Sequence, residues 1–302
     1  MKRGNLEKTN CLYNFKGRKI KIVGISCSKR NSHECAREDP TSIELLKIAL
    51  KEAEKLGAET EIIDLRELKI NACNECYSTC PAQCRFNEKT YQCDCYLFKH
   101  DTIFVNEREF YPIEEAYDKL TKKEFFEKYF DKGTFARRDD MWIVYKKMLE
   151  ADGIIFSTST SYYSRNALLQ SMLSRFCALD GGVEKIWGDG KNLGNSIKYS
   201  SNKTNAYKMR LYGKQVGFIN VSKEGDSVTP DLMKACTMMG MKIIPLGVSY
   251  HVQWYNDPTH RKDKNLTLKD PYTLQLTKHL GKKIVEEVKQ SNRTYGALSK
   301  VV

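Results

Sequence analysis

No apolar run in this chain reaches the ~18 residues that a membrane-spanning helix needs. Its first stretch, "MKRGNLEKTNCLYNFKGRK", is basic without an apolar h-region. A secretory signal is therefore not expected, and the cytoplasm is the expected compartment. Histidine is scarce, with five in 302 residues, and no pair has metal-ligand spacing. No Ser–His–Asp set is suggested by position either. The G-x-G-x-x-G pattern of dinucleotide folds is absent after the first apolar run, and so is a Walker lysine loop. No helix-turn-helix, RNA-recognition or zinc-finger pattern accompanies the formal charge of +12, so nucleic acid is disfavoured as a partner.

Hydrophobic residues make up 41% and charged residues 29%, the balance of a folded chain rather than a disordered one. The positive charge is uneven. Residues 1–30 hold nine Lys/Arg against one acid, and 184–214 hold seven against two. Such stretches attract a phosphorylated cofactor or an acidic partner, or they are simply a solvated lysine surface.

Apolar periodicity orders the elements. "RKIKIVGIS" (18–26) and "AETEIIDL" (58–65) read as strands around the amphipathic helix "TSIELLKIALKEAEKLG" (41–57), with a Thr/Ser start and a glycine stop. After a long irregular stretch come a helix at 138–152, a strand at 153–160 and a helix at 166–180. A strand at 214–222, a helix at 229–241, a strand at 242–250 and a helix at 271–290 complete the series. Strands alternating with helices pair in parallel through right-handed crossovers. The expected architecture is a doubly wound, flavodoxin-like α/β domain with a five-stranded parallel sheet, binding its ligand at the carboxyl ends of the strands. The domain is expected over 19–291, after a basic extension (1–18) and before a tail (292–302). Two insertions, 71–137 and 181–213, are long enough to be functional or disordered.

"SCSKRNS" follows the first strand, and "TS" opens the helix that comes next. Hydroxyls, backbone N–H groups and an arginine at a helix N-terminus make an anion site, because dipole and unpaired donors both favour negative charge. The first insertion carries "CNECYSTCPAQCRFNEKTYQCDC", six of the chain's eleven cysteines in residues 73–95. Cys73, Cys76, Cys80 and Cys84 are spaced closely enough to fold around a [4Fe–4S] cube. Four thiolates satisfy tetrahedral zinc equally well. Cys93 and Cys95 are alternatives for the fourth position. Cys177 and Cys236 read as core residues on apolar helix faces, Cys27 as a small buried filler, and His251 as a loop histidine near a strand's carboxyl end.

Taken in order, "GISCSKRNS", "TSIELLKIALKEAEKLGAETEIIDL", "INACNEC", "RDDMWIVYKKMLEADGIIFSTSTSYYSRNALLQSMLSR" and "GKQVGFINVS" resemble the NAD(P)H-dependent FMN reductase group of flavodoxin-like proteins. Within it they resemble the iron–sulfur flavoproteins. The resemblance implies an FMN phosphate surrounded by Ser26, Ser28, Arg30, Ser32 and Ser42. It places the isoalloxazine between Thr158, Ser159, Thr160, Ser161 and Tyr162 on one side and Val221, Ser222 and Lys223 on the other. It also implies a cluster on Cys73, Cys76, Cys80 and Cys84, electrons from ferredoxin or NAD(P)H, and homodimers or homotetramers with Arg175 and its helix at the interface. Departures are visible. The family's Ser-Pro-Arg is Ser28-Lys29-Arg30 here, "HECAREDP" is inserted before the helix, and the flavin loop lacks its usual proline. The cysteine spacing is two, three, three rather than two, two and several. A plain NAD(P)H-dependent FMN or quinone reductase, with a zinc-braced or metal-free insertion, is the rival reading.

Overall fold

Alternate side chains of each central strand go to opposite faces of one sheet, as the period of two requires. Val23 and Ile25, Ile154 and Phe156, and Val216 and Phe218 join one core cluster, while Ile22, Ile155 and Ile219 join another. The computed structural model describes residues 18–30, 39–73, 75, 86–87, 91–93, 139–161, 163–179, 210–222, 227–252 and 266–298. Its strands and helices are β1 (Lys21–Ser26), α1 (Thr41–Lys55), β2 (Glu59–Asp64), β3 (Phe86–Asn87), β4 (Gln92–Cys93) and α2 (Met141–Glu150). They continue with β5 (Gly153–Ser161), β6 (Ser164–Arg165), α3 (Ala167–Ser174), β7 (Gln215–Ser222), α4 (Val228–Met238), β8 (Lys242–Val252), α5 (Leu266–Lys269) and α6 (Pro271–Leu298).

The main sheet runs β2-β1-β5-β7-β8, every neighbouring pair parallel. With β1, β2, β5, β7 and β8 counted as first to fifth, this is the 2-1-3-4-5 order of flavodoxin-like folds. The fold is therefore the expected flavodoxin-like α/β class. The sheet gains a sixth member, because β5 turns back on itself and pairs antiparallel with the two-residue β6. The 71–137 stretch is not wholly irregular either, since β3 and β4 form a small antiparallel pair within it. The β7–β8 register shifts between Val216 and Phe218, where β8 contains Pro245, which has no N–H to give to a ladder.

α1 and α6 cover one face of the sheet, through Leu45, Leu46, Ala49 and Leu50 against Leu280, Ile284, Val285 and Val288. α2, α3 and α4 cover the other, with Met141, Val144, Met148, Leu169, Met172 and Leu232. α1 stops as its glycine implies: Gly57 has φ +87°, its N–H bonds Glu54 O at 2.9 Å, and Ala58 N–H bonds Ala53 O at 3.3 Å. That pair of bonds is a Schellman stop. The start differs from the sequence reading. Pro40 is the N-cap and gives no side-chain cap, so Thr41 and Ser42 lie in the first turn rather than capping it.

The 166–180 helix is shorter than expected: α3 ends at Ser174 and Arg175–Leu179 tightens into a 3₁₀ turn. The last helix continues to Leu298, past the point where a tail was expected. Lys214 is buried, and its Nζ donates to Leu149 O at 2.9 Å and Ala151 O at 2.5 Å. A cation there satisfies carbonyls at the negative end of α2. No helix of the described residues is long and apolar enough to cross a membrane.

Candidate functional site

Parallel strands place all their carboxyl ends on one edge, and β1, β5, β7 and β8 bring Ser26, Ser159, Val221 and His251 toward it in register. Ser26 pairs with Ser157, Ser159 with Val221, and Val221 with His251. Ser28 leaves β1 and meets the first turn of α1: its Oγ lies 2.7 Å from Ser42 Oγ and donates to Ser159 Oγ at 3.2 Å. A hydroxyl has one proton, so Ser42 donates to Ser28 in this chain. Ser157 Oγ donates to Ser42 O at 2.7 Å, tying β5 to the same turn. Ser26 Oγ is buried with no hydrogen-bond partner among the described residues. An unused buried hydroxyl beside a hydroxyl cluster and an uncapped helix N-terminus suits an oxyanion.

β5 carries the second half of the site. Thr158 is buried, Ser159 and Thr160 are half-buried, and Ser161 is exposed. Two residues that the sequence reading missed hold them. Asn166 caps α3 by accepting from Leu169 N at 3.0 Å, and its Nδ2 donates to Thr158 Oγ1 at 3.1 Å. The side-chain amide of the buried Asn220 reaches Thr160 Oγ1 at 3.4 Å. Asn166 was findable, since Asn before "ALLQSML" is a helix-start signal. Asn220, in the middle of an apolar strand, carried no such signal. Val221 and Ser222 are buried at the end of β7, and Arg30 is half-buried. Ser32, Tyr162 and Lys223 lie outside the described residues, as do Cys76, Cys80, Cys84 and Cys95.

Between Tyr162 and β6 the chain turns at Tyr163, which has φ +58° and is 62% exposed. A bulky residue in the left-handed region is uncommon and strained. Ser227 Oγ donates to Tyr163 O at 2.7 Å and holds the turn.

The cysteine insertion is anchored on the other face of the sheet. Arg175 is 1% exposed, and its Nη1 meets the buried Asp139 carboxylate at 2.6 Å. Nη1 also donates to Asn71 O at 3.3 Å, and Nη2 donates to Gln92 Oε1 at 2.7 Å. Asp139 accepts in addition from Asn71 N at 3.0 Å and Gln92 Nε2 at 2.8 Å. One buried ion pair therefore gathers the start, the middle and the end of the insertion. This corrects the reading of Arg175 as an interface residue: it is consumed inside the chain.

Cys93 is also committed, 4% exposed, with its Sγ 3.2 Å from Tyr145 Oη and 3.6 Å from Arg175 Nη2. Cys73 is half-buried at the other end. Its N–H donates to Ser174 Oγ at 3.2 Å, and its Sγ accepts from Glu75 N at 3.4 Å. Glu75 has φ +54°, the tight turn that brings its N–H back to the sulfur. Among the described residues no three His, Cys, Asp or Glu side chains form a metal-binding group.

Of the other cysteines, Cys27 and Cys236 are buried, and burial pushes both thiols far above the ordinary range. The nearby Asp64 carboxylate adds to the effect at Cys27. Cys27 is a filler, not a reactive thiol. Cys177, expected in the core, is only partly buried, because the helix tightens into the 3₁₀ turn before reaching it.

The sequence matches no protein-family model and no curated protein. Among solved structures the chain is similar to RosB, solved with its bound intermediate 8-demethyl-8-formylriboflavin-5'-phosphate, at 13% identity and a TM-score of 0.51 over 93% of this chain and 86% of RosB. A flavone reductase matches at 20% identity and a TM-score of 0.47, over 89% of this chain and 63% of its own. The chain thus spans less than two thirds of that reductase. A flavodoxin from the domain Archaea matches at 10% identity and a TM-score of 0.42, over 89% of this chain and 99% of its own. The strand order is that of a flavodoxin-like fold, and RosB shares the fold of this chain.

Proposed function

We propose that this chain is an FMN-dependent oxidoreductase. The observation that carries the reading is the oxyanion-ready edge of the sheet. There the Ser28–Ser42–Ser159 hydroxyl chain follows Ser26, whose Oγ has no partner among the described residues, and meets the start of α1, which has no side-chain cap. These residues fit the phosphate of FMN, with Arg30 beside them. Thr158, Ser159, Thr160 and Ser161 from β5, and Val221 and Ser222 from β7, would flank the ring system. The cofactor supplies the electron transfer. The protein's part is to bind, orient and exclude water, and Asn166 and Asn220 do so by fixing the hydroxyls of β5. RosB, solved with a riboflavin-5'-phosphate derivative, supports the choice of a flavin phosphate.

The finer reading adds a [4Fe–4S] cluster on Cys73, Cys76, Cys80 and Cys84. The engaged sulfur of Cys93 favours Cys84 or Cys95 as fourth ligand. Electrons would come from ferredoxin or NAD(P)H, in a homodimer or homotetramer. A groove of about 520 Å³ along α5 and α6, lined by Lys269, Lys278, His279 and Lys282, supports an acidic carrier. Reduction by ferredoxin that slows with added salt favours the carrier, whereas salt-indifferent oxidation of NADPH favours the nucleotide.

An anaerobic absorbance spectrum with FMN titration and iron and sulfide assays tests the whole reading. We expect saturable FMN binding and acid-labile sulfide. No flavin binding overturns the oxidoreductase. Stoichiometric zinc without sulfide overturns the cluster and leaves the braced-reductase alternative.

A further inference from the structure

We infer that Arg66 is a positioning residue for the anion loop, a strut that sets the gap between the end of β1 and the start of α1. The inference rests on the FMN reading above. Arg66 sits in the single 3₁₀ turn Leu65–Glu67 that follows β2, beside the loop but outside it. Its guanidinium grips Asp64 with Nε at 3.0 and 2.9 Å from the two carboxylate oxygens and Nη2 at 2.5 Å from Oδ2. Its remaining arm, Nη1, reaches the two stems of the segment inserted between strand and helix. It donates to Arg30 O at 2.8 Å on one stem and to Asp39 Oδ1 at 2.8 Å on the other.

Arg30 is two residues beyond Ser28, and Asp39 is three before Ser42. A single planar fork therefore holds both hydroxyl-bearing ends of the loop at a fixed separation. Lysine cannot reproduce this, because one ammonium lacks the fork that serves three acceptors in different directions. The charge of Arg66 is not free to bind a phosphate itself, since Asp64 and Asp39 both face it. Its role is to hold Ser28 and Ser42 where they meet. The connection from Cys27 to Pro40 is fourteen residues long, and a connection of that length leaves the helix start less constrained by the strand.

The test compares FMN with riboflavin, which lacks the phosphate, in titrations of wild type, Arg66→Lys, Arg66→Met and Asp39→Asn. Positioning predicts that both Arg66 variants weaken FMN about ten-fold, roughly the loss of one to two hydrogen bonds, and that Asp39→Asn, which keeps an accepting oxygen but loses the charge, weakens it about two- to three-fold, with riboflavin little changed. It also predicts that the salt dependence of FMN affinity is unaltered, because no phosphate-facing charge is removed. Asp39→Asn changes an exposed side chain and keeps the Arg66–Asp64 pair, so it reports even if Arg66→Met fails to fold. Equal loss of FMN and riboflavin, unchanged FMN affinity, or a flattened salt dependence overturns the strut. Wild type that binds no FMN overturns the function reading as well, whereas wild type that binds FMN with indifferent variants overturns this inference alone.

Discussion

At the scale of single residues, Arg175 has the most consequential environment. Arginine is rarely fully buried unless paired, and here its partner Asp139 is equally buried at 2.6 Å. Gln92 donates to the Asp139 carboxylate and accepts from the guanidinium, so both charges are further hydrogen-bonded. Buried pairs of this kind are costly to break from one side, because the remaining charge is left uncompensated. We expect Arg175→Met to lower stability by about 3–5 kcal/mol in urea unfolding. Arg175→Met combined with Asp139→Leu should recover much of that loss, since both charges then leave together. A single variant as stable as wild type would show that the pair does not hold the insertion. From the family resemblance Arg175 was expected at a subunit interface. Its partner Asp139 is 36 positions away, on the far side of α2 and β5, and no local pattern signals that pairing. Ser28 and Ser42 were legible for the opposite reason: both flank a strand-to-helix junction, where hydroxyls have a defined job.

At the scale of elements, the crossing of α1 and α6 sets how closely two helices cover the sheet beneath the anion loop. Gly281 faces Ala49 so tightly that an added Cβ would come within 1.9 Å of Ala49 O. Backbone cannot step aside as a side-chain tip can, so the helices would have to separate. Helix propensity alone predicts that Gly281→Ala stabilises by about 1 kcal/mol. Overpacking opposes this by about 1–3 kcal/mol or more, and a backbone clash falls at the costly end. We expect a net fall in melting temperature, and a rise would show that the helices separate freely. The elements themselves were legible because apolar period and glycine punctuation agreed with the final packing, as at Gly57. The misses came where tertiary contacts overrode local pattern. Pro40 rather than a hydroxyl residue caps α1, the 3₁₀ turn tightens the end of the 166–180 helix, and β6 arises only because Ser161 of β5 finds a partner in Ser164, three residues further along.

At the scale of the whole molecule, the two candidate cofactor sites are anchored to opposite layers of one sheet. The anion loop belongs to the α1–α6 side through Ser42, which lies in the first turn of α1. The cysteine insertion belongs to the α2–α3–α4 side through Cys73 and Ser174, Cys93 and Tyr145, and the Arg175–Asp139 pair. β5 gives Ser159 to the first site, and its Thr158 is held by the cap of α3. This arrangement ties the two candidate sites to different helices, so each can be altered without the other. Cys73→Ser should therefore remove iron and sulfide from anaerobically prepared protein while FMN affinity changes less than about two-fold, below the ~0.5 kcal/mol within which distant sites behave independently. Cys93→Ser should keep the cluster, because its sulfur is engaged by Tyr145 and Arg175. Loss of FMN together with the cluster in Cys73→Ser would mean that the insertion shapes the flavin site directly. Retention of the full cluster in that variant would mean that Cys73 is not a ligand.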